Sequence, residues 1–195
     1  MTEEKNILAE TKKPLLKGFL KDVIDIALLV IFVLLPIRLF IAQPFVVVGT
    51  SMYPTFYNGD YLIIDEISYR FNGPQRGDVI VFRPPPAPKD HYIKRVIGLP
   101  GETVKVDGNT VTIINKENPN GFVLKEQYVS SERNGTNTTV LGPNQYFVMG
   151  DNREASSDSR VWGSLNRDEI TGRVLTRLFP IPEVGIWPGK ASFEK

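Results

Sequence analysis

Two segments carry side chains able to run a hydrolysis. Gly49-Thr-Ser-Met-Tyr-Pro-Thr55 holds a serine in turn-like surroundings, and Tyr92-Ile-Lys-Arg-Val-Ile97 holds a lysine in a strand-like apolar run. A serine hydroxyl is a poor nucleophile until a neighbouring base takes its proton. The chain has no cysteine and one histidine, His91. Thiolate nucleophiles, cysteine-ligated metals and multi-histidine metal sites are therefore excluded, and Ser-His-Asp chemistry would have to pass through that single imidazole. A lysine can serve as the base instead. Its ordinary pKa of about 10.4 leaves fewer than about one amine in a thousand neutral near pH 7, so burial must lower it at a cost of about 4 kcal/mol. Apolar neighbours on a strand could hold the Lys94 ammonium away from water, yet most lysines are solvated surface charges. The run by itself does not single this one out.

Other chemistries have less to stand on. Lys and Arg number 23 against 22 Asp and Glu, a net charge of +1, which gives nucleic-acid binding no support. No acidic pair stands apart from the rest, and Asp78 in Arg76-Gly-Asp78 reads as turn chemistry before a strand. His91 and Lys94 are three residues apart, so a regular strand would point them to opposite faces. A site built around Lys94 is thus expected to exclude His91, leaving it a loop or strand-edge residue.

The elements that must position these residues begin with an apolar run from Val23 to Ala42, broken only by Asp25, Pro36 and Arg38. Twenty residues at helical rise match a hydrocarbon core of about 30 Å, so 23–42 reads as a transmembrane helix. Asp25 and Arg38 lie near its two ends, where a long side chain can snorkel. Lys5, Lys12, Lys13, Lys17 and Lys21 precede the span, and after Arg38 the next basic residue is Arg70. The positive-inside rule then keeps 1–22 as a cytoplasmic tail and exports 43–195.

The exported part reads as a mainly β, antiparallel domain. Short β-branched and aromatic runs at 61–65, 78–82, 92–97, 103–106, 110–114 and 145–149 alternate with turn signals such as Asn58-Gly-Asp60, Leu99-Pro-Gly101 and Gly142-Pro-Asn144. The runs flanking Asp107-Gly108 are close enough for a tight hairpin. No long helical period follows residue 42. Arg83-Pro-Pro-Pro-Ala-Pro-Lys89 is expected to be extended and stiff, and Ser130–Thr139 to be a polar, mobile loop.

Four motifs stand in order behind the span: Gly49–Thr55; Arg76-Gly-Asp-Val-Ile-Val-Phe-Arg83; Tyr92-Ile-Lys-Arg-Val-Ile-Gly-Leu-Pro-Gly-Glu102; and Met149-Gly-Asp-Asn-Arg153, continuing through Ser156-Ser-Asp-Ser-Arg160. The set resembles type I signal peptidases, membrane-bound serine proteases that remove signal peptides from exported proteins. The likeness covers the anchor and Pro44–Gly163, apart from a variable small β insertion at about 103–142. It implies a signal-peptidase-like β fold on a single N-terminal transmembrane helix. It further implies Ser51 as nucleophile and Lys94 as general base, without metal or organic cofactor. Matched to the family pattern, Ser156 would orient the lysine amine, with Ser157 and Ser159 as competitors. Asp151, Arg153, Asp158 and Arg160 would shape the site through ion pairs. Some relatives carry a side-chain hydroxyl two residues before the nucleophile as an oxyanion donor; here that position is Gly49, which leaves the Ser51 backbone N–H and an unidentified second donor.

The resemblance also implies partners: signal peptides of exported preproteins, with small residues at positions −1 and −3, and membrane lipid. The location implied is the plasma membrane, or the thylakoid membrane, crossed once with the N-terminus cytoplasmic. Phe45, Val47 and Met52 are the expected walls of shallow substrate pockets. Phe56, Tyr57, Trp187 and Phe193 are candidates for membrane contact. Ser51 follows Ala42 by nine residues, a leash of at most about 30 Å that keeps the hydroxyl at the membrane face. Two other readings use the same features: a non-catalytic anchored β module that binds exported chains, and a self-cleaving Ser-Lys regulatory protease. The pairing of Ser51 with Lys94 argues against the first, and the span argues against the second. The role of the segment from Asn115 to Thr139 is not legible.

Overall fold

A computed structural model of the chain describes residues 18–34, 42–131, 134–191 and 193. The chain divides into two compact units, Met1–Ile41 and Ala42–Lys195. In the first, helix α1 runs over 18–29 and continues as a π-helical turn at Val30–Leu34. Its apolar side chains, Phe19, Ile24, Leu28 and Phe32 among them, are exposed. Among the described residues no helix is long and apolar enough to cross a membrane. Residues 35–41 of the expected span lie outside the described residues. Ala42, expected as its last residue, is instead the first residue of strand β1 (Ala42–Val46), paired with Asp65.

The second unit is antiparallel β throughout its pairings. Strands β2 (Tyr61–Asp65), β3 (Val79–Phe82), β4 (Tyr92–Gly98), β5 (Thr103–Asp107), β6 (Thr110–Ile114) and β9 (Gln145–Met149) fall on the β-branched runs read from the sequence. The larger sheet has the order β1-β2-β11-β3-β4-β9-β10, with β10 at Leu165–Asn166 and β12 (Gly185–Ile186) paired to β11 (Ile170–Phe179). Helices α2 (Ser68–Phe71) and α3 (Ser159–Trp162) are single turns.

Strand β11 is the longest strand among the described residues and pairs with both β2 and β3 within the sheet. It is not evident in the sequence because Arg173 and Arg177 interrupt its apolar alternation. Those charges are matched by Asp65 for Arg173 at 3.2 Å, and for Arg177 by Asp60 at 3.3 Å and by Glu183 in the turn that follows the strand.

A second sheet, β7-β6-β5-β8, is formed within residues 103–140, with β7 at Phe122–Val123 and β8 at Thr136–Val140. Asp107 pairs with Thr110 and Gly108 has φ +56°, the left-handed backbone that a two-residue hairpin needs. Strand β8 corrects the expected polar loop at Ser130–Thr139: its threonines are β-branched and suit an edge strand against β5. The proline-rich 83–89 segment is likewise not extended. It folds into successive turns, with Ala87 N–H donating to Pro84 O and Asp90 N–H to Ala87 O, both at 3.0 Å.

Gly172 sits where β11 crosses β2, and a Cβ there would lie 2.5 Å from the Asp65 carbonyl oxygen. Backbone cannot retreat as a side chain can, so Gly172→Ala is expected to destabilise the domain by about 1–3 kcal/mol. The check is the urea midpoint of the full chain in detergent; an unchanged midpoint contradicts this packing.

Candidate active site

The loop from Val47 to Asp60, between β1 and β2, carries Ser51. Its base is held by Val47 N–H donating to Asp60 O and Gly59 N–H to Val47 O, each at 2.9 Å. Gly49 has φ +99°, and its N–H donates to Asn58 Oδ1 at 3.0 Å. Within this frame the chain turns tightly, Tyr53 N–H donating to Thr50 O and Phe56 N–H to Met52 O. Ser51 is thereby presented at a cleft of about 550 Å³ whose walls include Phe45, Val47, Leu62, Val81 and Ile93.

Lys94 enters the same cleft from β4. Its Nζ is 2.7 Å from Ser51 Oγ and donates to Ile93 O at 2.9 Å. The residue is 3% exposed. Burial pulls the amine down to about 8, against the opposing pull of the Asp158 and Asp151 carboxylates. At that value about one amine in ten is neutral at pH 7. The lowering arises because water, which stabilises an ammonium, is replaced by apolar walls.

A second loop, 150–158, closes over Ser51. Asn152 N–H donates to Ser51 O at 3.1 Å and its Nδ2 to Thr50 O at 3.2 Å. Gly150 is required there: a Cβ would lie 2.4 Å from Ser51 O and 2.3 Å from Ser156 Oγ. Ser156 is buried, and its Oγ donates to Asp158 Oδ2 at 2.6 Å. Asp158 also accepts from Gly150 N–H at 3.0 Å and from the Arg160 guanidinium at 2.8 Å. Burial alone would push the Asp158 carboxyl up, but Arg160, Ser156 and the Gly150 N–H hold it below the usual carboxylate range. Asp151 forms a two-point pair with Arg95, at 2.8 and 2.6 Å, and accepts from Thr55 Oγ1.

The other sequence-selected residues fall out differently. Ser157 is exposed on the cleft wall, while Ser159 is buried with its Oγ accepting from Val148 N–H at 3.0 Å. Phe45 and Val47 line the cleft. Met52 does not: it is 1% exposed and packed in the core with Phe56 and Leu62, because the turn after Ser51 directs it inward. His91 is the loop residue expected, just before β4, but it is not kept off the Lys94 cleft: it stands on its rim with its ring 5.2 Å from that of Phe45. The alternation argument fails because β4 begins only at Tyr92. Phe56 is fully buried and Phe193 packs against the core around Ile97 and Phe147, which removes both from the expected exposed surface. Tyr57 and Trp187 are exposed.

Reasoning from sequence assigned no role to three residues of the site: Arg95, buried beneath it, Asn152, clamped on the Ser51 backbone, and Gly150. All three lie inside the motifs themselves, but their partners lie on remote segments that no local spacing announces.

A profile of the family described as "Signal peptidase, peptidase S26" matches residues 20–179. The chain belongs to the signal peptidase family. The signal peptidase I of Leptolyngbya laminosa is 42% identical over 159 residues, covering 77% of this chain and 75% of the relative. Signal peptidase I T of Bacillus subtilis is 36% identical over 191 residues, covering 94% and 98%. A crystal structure of signal peptidase I from Enterococcus faecalis is 34% identical, covers 52% of this chain and 97% of that one, and has a TM-score of 0.44. As a signal peptidase of the S26 serine peptidases, the protein is an enzyme whose substrates are exported preproteins.

The buried amine has a thermodynamic signature in this signal peptidase. The Lys94 value is lower in the folded than in the unfolded chain, so the unfolded state binds more protons between about pH 8 and 10.5. The fold therefore carries a penalty of about 3 kcal/mol below pH 8, which fades as pH rises through that window. Lys94→Met, which keeps the stem and removes the charge, is expected to raise the unfolding midpoint at pH 7 and to lose that advantage near pH 10.5. A gain independent of pH would place the amine in water.

Proposed function

We propose that the chain is a membrane-anchored signal peptidase in which Ser51 is the nucleophile and Lys94 the general base. The single observation that carries this is the 2.7 Å separation of Lys94 Nζ and Ser51 Oγ in a buried, apolar setting. The neutral amine accepts the hydroxyl proton as Oγ attacks the scissile carbonyl. The resulting ammonium then donates that proton to the leaving amine, giving an acyl-enzyme. A water molecule, deprotonated by the same amine, releases the signal peptide. The Ser51 N–H is one donor to the oxyanion. Gly49 offers no hydroxyl, so a second donor is not assigned. Ser156, buried beside Gly150 and bonded to Asp158, supports the orientation of the amine.

Substrate recognition follows from the cleft. Phe45, Val47, Leu62, Val81 and Ile93 give apolar walls suited to small side chains at −1 and −3. Strand β1 is an edge of the larger sheet, so an extended substrate segment has a free edge on which to add a strand. Pro44 is tolerated within β1 for the same reason.

Membrane anchoring rests on the apolar run 23–42, the lysines before it and the exposed apolar face of α1. Tyr57 and Trp187 stay exposed as membrane-contact candidates. Phe179, Ile181, Val184 and Ile186, at the end of β11 and the turn into β12, join them as exposed apolar side chains. On this reading the N-terminus is cytoplasmic and residues 43–195 work on the exported face of the plasma or thylakoid membrane.

The test is cleavage of an unrelated preprotein by the full chain in detergent. Ser51→Ala and Lys94→Ala are each expected to lower kcat by at least about a thousandfold. The wild-type rate is expected to rise with pH around a midpoint near 8, as Lys94 deprotonates. Activity is expected to survive chelators. Cleavage retained by Lys94→Ala, or chelator loss reversed by added metal, overturns the mechanism.

A further inference from the structure

The segment from Lys125 to Ser131, whose role the sequence leaves open, leaves β7 and crosses to the 150–158 loop. It meets Asn152 and Arg153 of that loop directly and Asp151 through Arg95. Glu126 Oε1 accepts from Arg153 Nη2 and from Tyr128 OH, both at 2.7 Å. The ring of Tyr128 lies under the Arg95 guanidinium, 3.9 Å from carbon to ring centroid, and Arg95 in turn grips Asp151. Ser131 Oγ donates to Asn152 Oδ1 at 2.9 Å, fixing the amide whose Nδ2 reaches Thr50 O.

The Glu126 contact is the most consequential. The two side chains of the pair are 5% and 1% exposed. Among the described residues, Glu126 Oε2 and Arg153 Nη1 are buried without a hydrogen-bond partner. A pair so desolvated and incompletely satisfied is an expensive way to fill space, which apolar side chains would fill as well. What the charges do provide is direction. With its Nη2 held by Glu126, Arg153 donates through Nε to Gly150 O at 3.1 Å, and its own carbonyl accepts from Arg160 at 2.8 Å. Gly150 is the residue pressed against Ser51 O and Ser156 Oγ. A displacement of its peptide would be passed directly to the nucleophile.

We propose that Glu126 is a positioning residue for Ser51 and Lys94, fixing the Gly150 peptide through Arg153, and that the Lys125–Ser131 strap belongs to the catalytic apparatus. The proposal rests on Ser51 and Lys94 acting as described above. It makes the strap, within the 103–140 region that forms the second sheet, a means of tuning the rate without touching substrate.

The experiment measures kcat and KM for preprotein cleavage by the full chain in detergent, from about pH 6 to 10. Glu126→Gln is expected to lower kcat about tenfold with KM changed less than about twofold. Its pH midpoint should move upward, because a loosened loop admits water to the Lys94 amine. The double variant with Arg153→Gln should be no slower than the slower single variant, since the two side chains act as one unit. Ser131→Ala, a milder cut in the same strap, should lower kcat about threefold. Glu117→Gln, an exposed acid elsewhere in the insertion, should leave kcat and midpoint unchanged. Wild-type kcat and midpoint in Glu126→Gln, or losses that multiply in the double variant, would overturn the proposal. So would a lowered melting temperature with kcat intact. Should Glu126→Gln not fold, Ser131→Ala decides, and an unchanged kcat there overturns it. Cleavage retained by Ser51→Ala or Lys94→Ala would instead overturn the underlying mechanism, whatever Glu126 does.

Discussion

The structure is organised around the desolvation of one amine. An ammonium in water is stable and useless as a base, and only removal of that water makes Lys94 available near neutral pH. Burial alone would be self-defeating if a carboxylate stood in contact, because the charge would be restored. Asp158 and Asp151 do pull the amine upward, yet each is occupied, Asp158 by Arg160 and Ser156, Asp151 by Arg95 and Thr55. Their charge is largely spent on those partners, and burial prevails.

That balance explains the density of buried arginine beneath the site. Arg95 is fully buried, pairs with Asp151 and also donates to the Gly77 carbonyl and to Gly189 near the C-terminal end. Arg153 and Arg160 perform the same service for the 150–158 loop. Such pairs add little net stability over apolar packing. Their value is geometric, since guanidinium forks fix the distance and direction of what they hold. A contact of 2.7 Å between Lys94 Nζ and Ser51 Oγ tolerates little drift, and the arginines link the loop that covers it to β4, to α3 and to the strap from the second sheet.

Legibility in the sequence follows how local each interaction is. Strands β2, β3, β4, β5, β6 and β9 and the hairpin at Gly108 were readable because β-branched runs and turn residues declare themselves over a few positions. Strand β11 was not, because Arg173 and Arg177 look like surface charges until Asp65 and Asp60 are brought beside them. Strand β8 was hidden by polarity: an edge strand exposed along one side has no apolar pattern to show. In the site, motif likeness led to Ser51 and Lys94, which stand 2.7 Å apart, whereas Met52 was misplaced and His91 was not foreseen on the cleft because local spacing does not say where a loop turns.

The sequence by itself determined the chemical inventory: no thiol, a single imidazole, a serine and a lysine in recognisable motifs, and an apolar run before them. It determined the type of those elements that β-branched runs and turn residues declare locally, since backbone preference is a property of neighbouring residues. Only the tertiary structure decided that Lys94 is dry, which carboxylates are already paired, and that a strap reaches the loop behind Ser51, with 27 positions separating Glu126 from Arg153. Desolvation and charge pairing depend on what surrounds a group in space, and folding brings together residues whose separation along the chain carries no information about that contact.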